Sequence, residues 1–178
     1  MLTELLHGTM AEVTREKVQS ALVPHSSGLK VLLASEKPSD VTYISQVQNY
    51  EALVSRLSMF ARFVVLDLGV GLPLFVQRLL PMCSERIVVL EGTAGAIHHT
   101  KILIDEITGL KIDRKSIGAV LNNRVRSEAQ MSLNQVQEKL GHTIMSALTP
   151  APELFMQAAR MQTPAVISQP SNVTAQQF

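Results

Sequence analysis

The sequence predicts an α/β fold built as a three-layer, mostly parallel, doubly wound sheet. Two observations carry that prediction. Short runs rich in branched residues, "LKVLLA" (29–34), "FVVLDL" (63–68), "RIVVL" (86–90) and "IGAVLN" (117–122), do not alternate apolar with polar. Continuous apolar runs of this length are what strands covered on both faces look like. The segments between them carry helical periodicity instead, and strand alternating with helix is the pattern of a parallel sheet wrapped by helices.

Taken in order, "LTELLHG" and "TREKVQSALV" read as two short helices, and "PHSSG" as a turn into the strand at 29–34. In 44–61, Val47, Tyr50, Val54, Leu57 and Phe60 or Ala61 recur at three and four residues, which gives one apolar helix face. After the strand at 63–68, Gly69 and Gly71 permit positive φ, and Pro73 suits a first helical turn. The strand at 86–90 leads to a helix over 93–110, marked by Ile97, Lys101, Ile104 and Ile107 and stopped near Gly109. Beyond the strand at 117–122, a helix over 132–141 starts at a Ser132 cap and ends at Gly141. A weaker strand follows at 143–148, then a helix over 152–161 with proline in its first turn. Residues 1–168 read as a single domain and 169–178 as a polar tail that frays.

With 46% hydrophobic and 17% charged residues, the 178-residue chain falls in the globular class and outside the disordered one. Sixteen basic against 15 acidic residues leave a formal charge of +1, so no global field draws it to nucleic acid or anionic lipid. The basic lean of Arg114, Lys115, Arg124, Arg126 and Lys139 is diluted by Glu128 and Glu138 and reads as solvated surface. Cys83 is the one cysteine, which excludes an internal disulfide. No run approaches the 18 or so apolar residues of a spanning helix, and the start carries Glu4 and Glu12 where an export signal wants basic charge. The expectation is a cytoplasmic protein without membrane insertion.

Asp67 is the main chemical candidate. A carboxylate at the carboxyl end of a buried strand lies where open α/β sheets bind ligands, and such an acid can orient Mg²⁺ through water. The alternative is a strand-end acid that caps its own turn. Asn122 and Asn123 end another buried strand. A carboxamide there can donate and accept at once, as the edge of a nucleobase requires, or can simply stabilise a turn. His98 and His99 are adjacent, so on a helix they point apart and do not chelate one ion. Cys83 has no patterned His or Asp near it and reads as a packed thiol.

The succession "LTELLHG…TREKVQSALVPHSSGLKVLLAS", "FVVLDLGVGL", "RIVVLEGTAGAIHHTKILIDEI", "IGAVLNNRV" and "SLNQVQEKLGHTIMSALTPAPELFMQAARMQTPAV" resembles the MinD/ParA family of deviant P-loop ATPases over residues 2–168. The closest branch is the CpaE/TadZ-like proteins of type IV pilus assembly. The resemblance implies a P-loop NTPase-like fold in which Asp67 is the Walker B acid, catalytic and holding Mg²⁺ through water. It also implies nucleotide-binding roles for Gly71, near the following switch, for Asn122 at the base, and for Pro150 in the loop flanking the base. Gly69 and Val70 stand where the family usually has prolines, and Ser35 replaces the proline that usually closes "SGLKVLLA".

The family's glycine-rich loop, K-G-G-x-G-K-T, has no counterpart in residues 1–178. Backbone amides and lysines of that loop hold the phosphates, so ATP and Mg²⁺ are expected only if such a loop is supplied from elsewhere. The sheet also lacks the P-loop strand, which in the family lies beside the Walker B strand. It must then close differently, borrow a strand, or leave backbone edges unpaired, and the last two options imply a protein partner or self-association. The expectation is a degenerate or truncated MinD/CpaE-like domain serving as an interaction, positioning or regulatory module without its own ATP hydrolysis. One alternative is the C-terminal part of an active ATPase whose P-loop lies upstream. Another is a flavodoxin- or receiver-like binding domain.

Overall fold

The computed structural model describes residues 1–124, 127 and 130–178. Arg126 and Glu128 of the basic stretch lie outside the described residues. The chain divides into two compact units, Met1–Cys83 and Ser84–Phe178.

The first unit opens with α1 (Leu2–Leu6), a 3-10 turn at Met10–Glu12 and α2 (Arg15–Ala21), matching the two expected helices. Thr14 starts α2 by accepting the Lys17 N–H at 3.3 Å, one of the donors that a helix start leaves without an internal partner. A 3-10 stretch at Pro38–Ser45 leads into α3 (Val47–Leu57), and α4 (Leu74–Leu79) follows the Pro73 cap. Leu5, Val13, Val18, Ala52 and Leu53 form the buried cluster, with Leu2, Ala21, Leu32, Leu57 and Phe60 packed against it. Each of the larger buried side chains contributes about 1.5–3 kcal/mol. Asn49 is the polar exception on the buried face of α3. Its Nδ2 donates to the carbonyls of Leu6 (3.3 Å) and Gly8 (2.9 Å), which satisfies the amide and ties α1 to α3.

Two expected strands of this unit require correction. Within 29–34, Lys30–Val31 (β2) is a strand, paired antiparallel with Val23–Pro24 (β1) across the turn at Gly28, where φ is +89°. Residues 63–68 form no strand. Their backbone makes no hydrogen bond among the described residues, and Phe63 and Val65 are 78% and 92% exposed. The reason is that an apolar β-branched run favours extended backbone but becomes a strand only when a neighbour completes its ladder, and no described segment does so.

The second unit holds the sheet. β3 (Arg86–Leu90), β4 (Ile117–Asn122) and β5 (Ile144–Leu148) lie in that order, all parallel and flanked by helices. The first two coincide with their expected ranges, and the weaker third is present. α5 (Ala94–Gly109) packs on β3, and α6 (Leu133–Leu140) packs on α5 and β5. Buried Val88, Leu90, Ile117, Ala119 and Leu121 of the sheet, with Ile97, Ile104 and Ile107 of α5 and Val136 and Leu140 of α6, make this core.

The termini of α6 follow from the sequence. Ser132 Oγ accepts the Gln135 N–H (3.4 Å), Gln135 Oε1 accepts the Ser132 N–H (2.9 Å), and Gly141 closes the helix at φ +63°. Register is uniform between β3 and β4 but shifts between β4 and β5, where Ala119 pairs with Ile144 and Val120 with Ser146, leaving Met145 unpaired. A side chain at Gly118 would run into the Met145 thioether, so glycine there admits the bulge.

Short helices α7 (Pro152–Arg160) and α8 (Ala165–Ser168) follow, then a 3-10 turn at Ala175–Gln177. The chain end is held, contrary to the fraying expected for it. Thr174 and Ala175 are buried, and Gln177 hydrogen-bonds to Thr149. Among the described residues no helix is long and apolar enough to cross a membrane.

Candidate functional site

In the first unit, Asp67 ends the extended run and is exposed. Its Oδ1 accepts the Gly69 N–H at 3.1 Å, a turn that the carboxylate caps itself, while Gly69 and Gly71 take φ of +70° and +81°. Those angles strongly favour glycine, and they swing the chain into Pro73 and α4. Among the described residues no group of three His, Cys, Asp or Glu side chains is placed to hold a metal. Among the described residues, the carboxylate organising this turn is Asp67, and the hydrogen bond it makes is to the Gly69 N–H.

In the second unit, Asn122 and Pro150 lie at one end of the sheet. Asn122 is the last residue of β4 and pairs in register with Leu148, the last of β5; Thr149 and Pro150 follow directly. The two asparagines part company. Asn123 Oδ1 accepts the N–H of buried Gly92 at 2.8 Å, the Gly92 carbonyl accepts the Met131 N–H at 2.8 Å, and Arg124 pairs with Glu91. Asn123 thereby fixes the turn that leads into α5, whose start is capped by Thr93 accepting the Ala96 N–H (3.3 Å). The half-buried Asn122 carboxamide makes no hydrogen bond among the described residues, so its donor and acceptor are available.

Sequence reasoning missed two residues, Thr174 and Gln177, that hold Thr149. Gln177 Oε1 accepts the Thr149 N–H at 2.7 Å, and Gln177 Nε2 donates to Thr149 Oγ1 at 2.9 Å. The Thr149 carbonyl accepts from Thr174 Oγ1 at 3.1 Å. These partners are 25 and 28 residues apart in sequence, and a polar, uncharged tail carries no local signal of where it will dock.

The remaining candidates are surface features. His98 and His99 are exposed on α5 with ring centroids 5.8 Å apart. Arg114 pairs with Asp105 at 2.7 Å, which leaves little free charge for an anion. Cys83 is half-buried, its thiol against the Leu79 carbonyl at 3.5 Å.

No family model matches the sequence, and no curated protein matches it. Solved structures do match the fold. A ParA family ATPase from Chlorobium tepidum superposes with a TM-score of 0.85 at 11% identity, over 99% of this chain and 72% of that one. The septum site-determining protein MinD from Pyrococcus horikoshii, solved with Mg-ADP, gives 0.76 at 18% identity, over 98% and 73%. MinD from Aquifex aeolicus, solved as a MinC:MinD complex, gives 0.63 at 14% identity, over 90% and 64%. At such identities the likeness speaks for architecture: this chain has the α/β fold of the ParA and MinD ATPases.

Proposed function

We propose that this chain is a degenerate or truncated MinD/CpaE-like ATPase domain that works as an interaction and positioning module, of the kind used in pilus or secretion assembly, without ATP hydrolysis of its own. The observation that carries the reading is chemical: a ParA/MinD fold over nearly the whole chain, in a sequence with no glycine-rich loop and lysine to grip phosphates. Positioning and charge stabilisation of the γ-phosphate are nearly all that a protein contributes to phosphoryl transfer, so losing that grip removes most of the catalysis. The unpaired run Phe63–Leu68, in which Phe63, Val64 and Val65 are exposed, supports the second half of the reading. Apolar extended backbone without a ladder is a surface that a second chain can complete. The MinD of the MinC:MinD complex offers a precedent for this fold working through a protein partner. Calorimetric titration with Mg·ATP, paired with a phosphate-release assay, tests the proposal. The expected result is no micromolar binding and no turnover; micromolar binding or measurable phosphate release overturns it.

A second reading has its own support. This chain covers 72% of the matched ParA chain, and on this reading Asp67 and Asn122 serve an ATPase whose phosphate loop is contributed by sequence upstream of residue 1. An in-frame glycine-rich loop upstream in the gene would favour it.

A further inference from the structure

Two ladders are left open in this chain, and their residues fit each other. Residues 63–68 run extended with no backbone partner among the described residues, and β3 is an edge strand of its sheet. Phe63 and Val65 are 78% and 92% exposed on one side of the run, while Leu66 and Leu68 are half-buried on the other. On β3, Val88 and Leu90 are buried, whereas Ile87 and Val89 are 62% and 59% exposed. Open apolar edges of this kind are templates for pairing with another chain. Charge brackets both stretches: Arg62 and Asp67 enclose the apolar part of the run, Arg86 and Glu91 that of β3. Laid antiparallel, Phe63, Val64, Val65 and Leu66 face Leu90, Val89, Val88 and Ile87, which sets Arg62 against Glu91 and Asp67 against Arg86. Laid parallel over the same span, Arg62 meets Arg86 and Asp67 meets Glu91, two like-charge pairs that oppose the ladder.

We propose that the run 63–68 of one copy pairs antiparallel with β3 of a second copy, so that the chain self-associates by extending its own sheet. This rests on reading the chain as an interaction module whose unpaired run receives a second chain, and it names that chain. The antiparallel register brings Phe63 and Val65 to the face of Val88 and Leu90, beside the α5 cluster that already covers it. Val64 and Leu66 come against Val89 and Ile87, the exposed pair of β3. Pairing like with like does worse. A two-fold antiparallel ladder between identical strands joins residues whose numbers differ by an even count, because facing side chains share one side of the sheet. Arg62 then never meets Asp67, nor Arg86 Glu91, whereas the run on β3 matches both charges. Glu91 already pairs with Arg124, and the Arg86 guanidinium donates to Ser116 Oγ at 2.9 Å. A carboxylate with two oxygens and a guanidinium with five donors each have room for a second partner. Every copy carries both halves of the contact, so it is made twice in a closed two-fold dimer.

Sedimentation equilibrium on the full chain is the test. An interface of this modest size should be well populated at roughly 100 μM and largely apart at a few micromolar, so Val65 stays exposed in dilute unfolding experiments. The mass of the unaltered chain should therefore rise toward that of a dimer at roughly 100 μM. Arg62→Glu and Glu91→Arg each set like charges together in both ladders and should weaken association roughly tenfold or more. Mixed one to one, the two variants restore opposite charges in both ladders of a mixed dimer, which should form about as tightly as the unaltered one; a folding defect in either variant would not be repaired by mixing. Cysteines read the same register if Glu91→Arg does not fold. On a Cys83→Ser background, a Val64→Cys chain and a Val89→Cys chain mixed with oxidised glutathione should form a disulfide between copies, and neither chain alone should. A monomer at roughly 100 μM, a charge-variant mixture no tighter than its components, no mixed disulfide, or crosslinking of Val64→Cys alone overturns the proposal. A monomeric chain that binds no Mg·ATP overturns this inference and leaves the loss of ATP hydrolysis in the proposed function standing.

Discussion

Asn122 and Asn123 are neighbours of the same type, yet the structure assigns them opposite work, and substitution separates the two. Gly92 is buried, and its N–H has one acceptor, Asn123 Oδ1 at 2.8 Å. Asn123→Ala removes that acceptor and leaves a buried donor without a partner, at a cost of about 1–3 kcal/mol. Gly92 cannot readily shift to compensate, since a Cβ there would already lie 3.3 Å from both Asn123 Oδ1 and the Met131 carbonyl. At 1.4 kcal/mol per tenfold, amide exchange at Gly92 should quicken roughly 5- to 150-fold. Asn123→Asp keeps an acceptor in place and should retain most of the protection. Asn122→Ala removes a carboxamide that bonds to nothing among the described residues, and should change stability by no more than about 0.5 kcal/mol. Hydrogen exchange by NMR on the three variants is the assay. Unchanged Gly92 protection in Asn123→Ala, or equal losses from Asn122→Ala, would refute the assignment.

Two further predictions concern the first unit. Val65→Lys should shift the denaturation midpoint by no more than about 0.5 kcal/mol equivalent, because Val65 is 92% exposed; a buried strand at 63–68 would instead lose several kcal/mol to an unpaired charge, so a large loss in urea unfolding would restore that strand. The Glu12 carboxyl is held below its ordinary 4.5, first by the Thr9 hydroxyl, then by the Thr9 N–H, with the Lys17 ammonium adding to both. A depressed value means that its contribution to stability is present above pH 4.5 and is lost as pH falls below that through the folded-state value. NMR titration of Glu12 should show the low midpoint, and Thr9→Ala should raise it toward the ordinary range; no change on substitution would remove the hydroxyl as the cause.

What the sequence disclosed was local or periodic. The ranges 86–90 and 117–122 coincide with β3 and β4, and α5 and α6 lie within a residue of their expected limits; for α6 the ends are written beside the helix, in the Ser132 hydroxyl cap and in Gly141, which takes positive φ. The run at 63–68 failed for a reason that no local pattern contains. Phe63, Val64, Val65 and Leu66 show a preference for extended backbone and for cover, but whether a ladder forms depends on a second segment being there. The candidate site was legible to the same depth. Gly69 and Gly71 permit positive φ, and both take it, at +70° and +81°. The division of labour between Asn122 and Asn123 depends on where Gly92 comes to rest, and the docking of Gln177 on Thr149 depends on a turn of the chain 28 residues long, neither of which spacing reveals.

On the proposed function, the ParA/MinD-like fold is kept here without the phosphate chemistry that usually accompanies it. Titration of the purified chain with Mg·ATP, followed by phosphate release under saturating nucleotide, addresses that claim most directly. The account predicts no micromolar binding and no turnover above buffer. Micromolar binding with steady phosphate release, abolished by Asp67→Asn, would contradict it and return Asp67 to a working catalytic site.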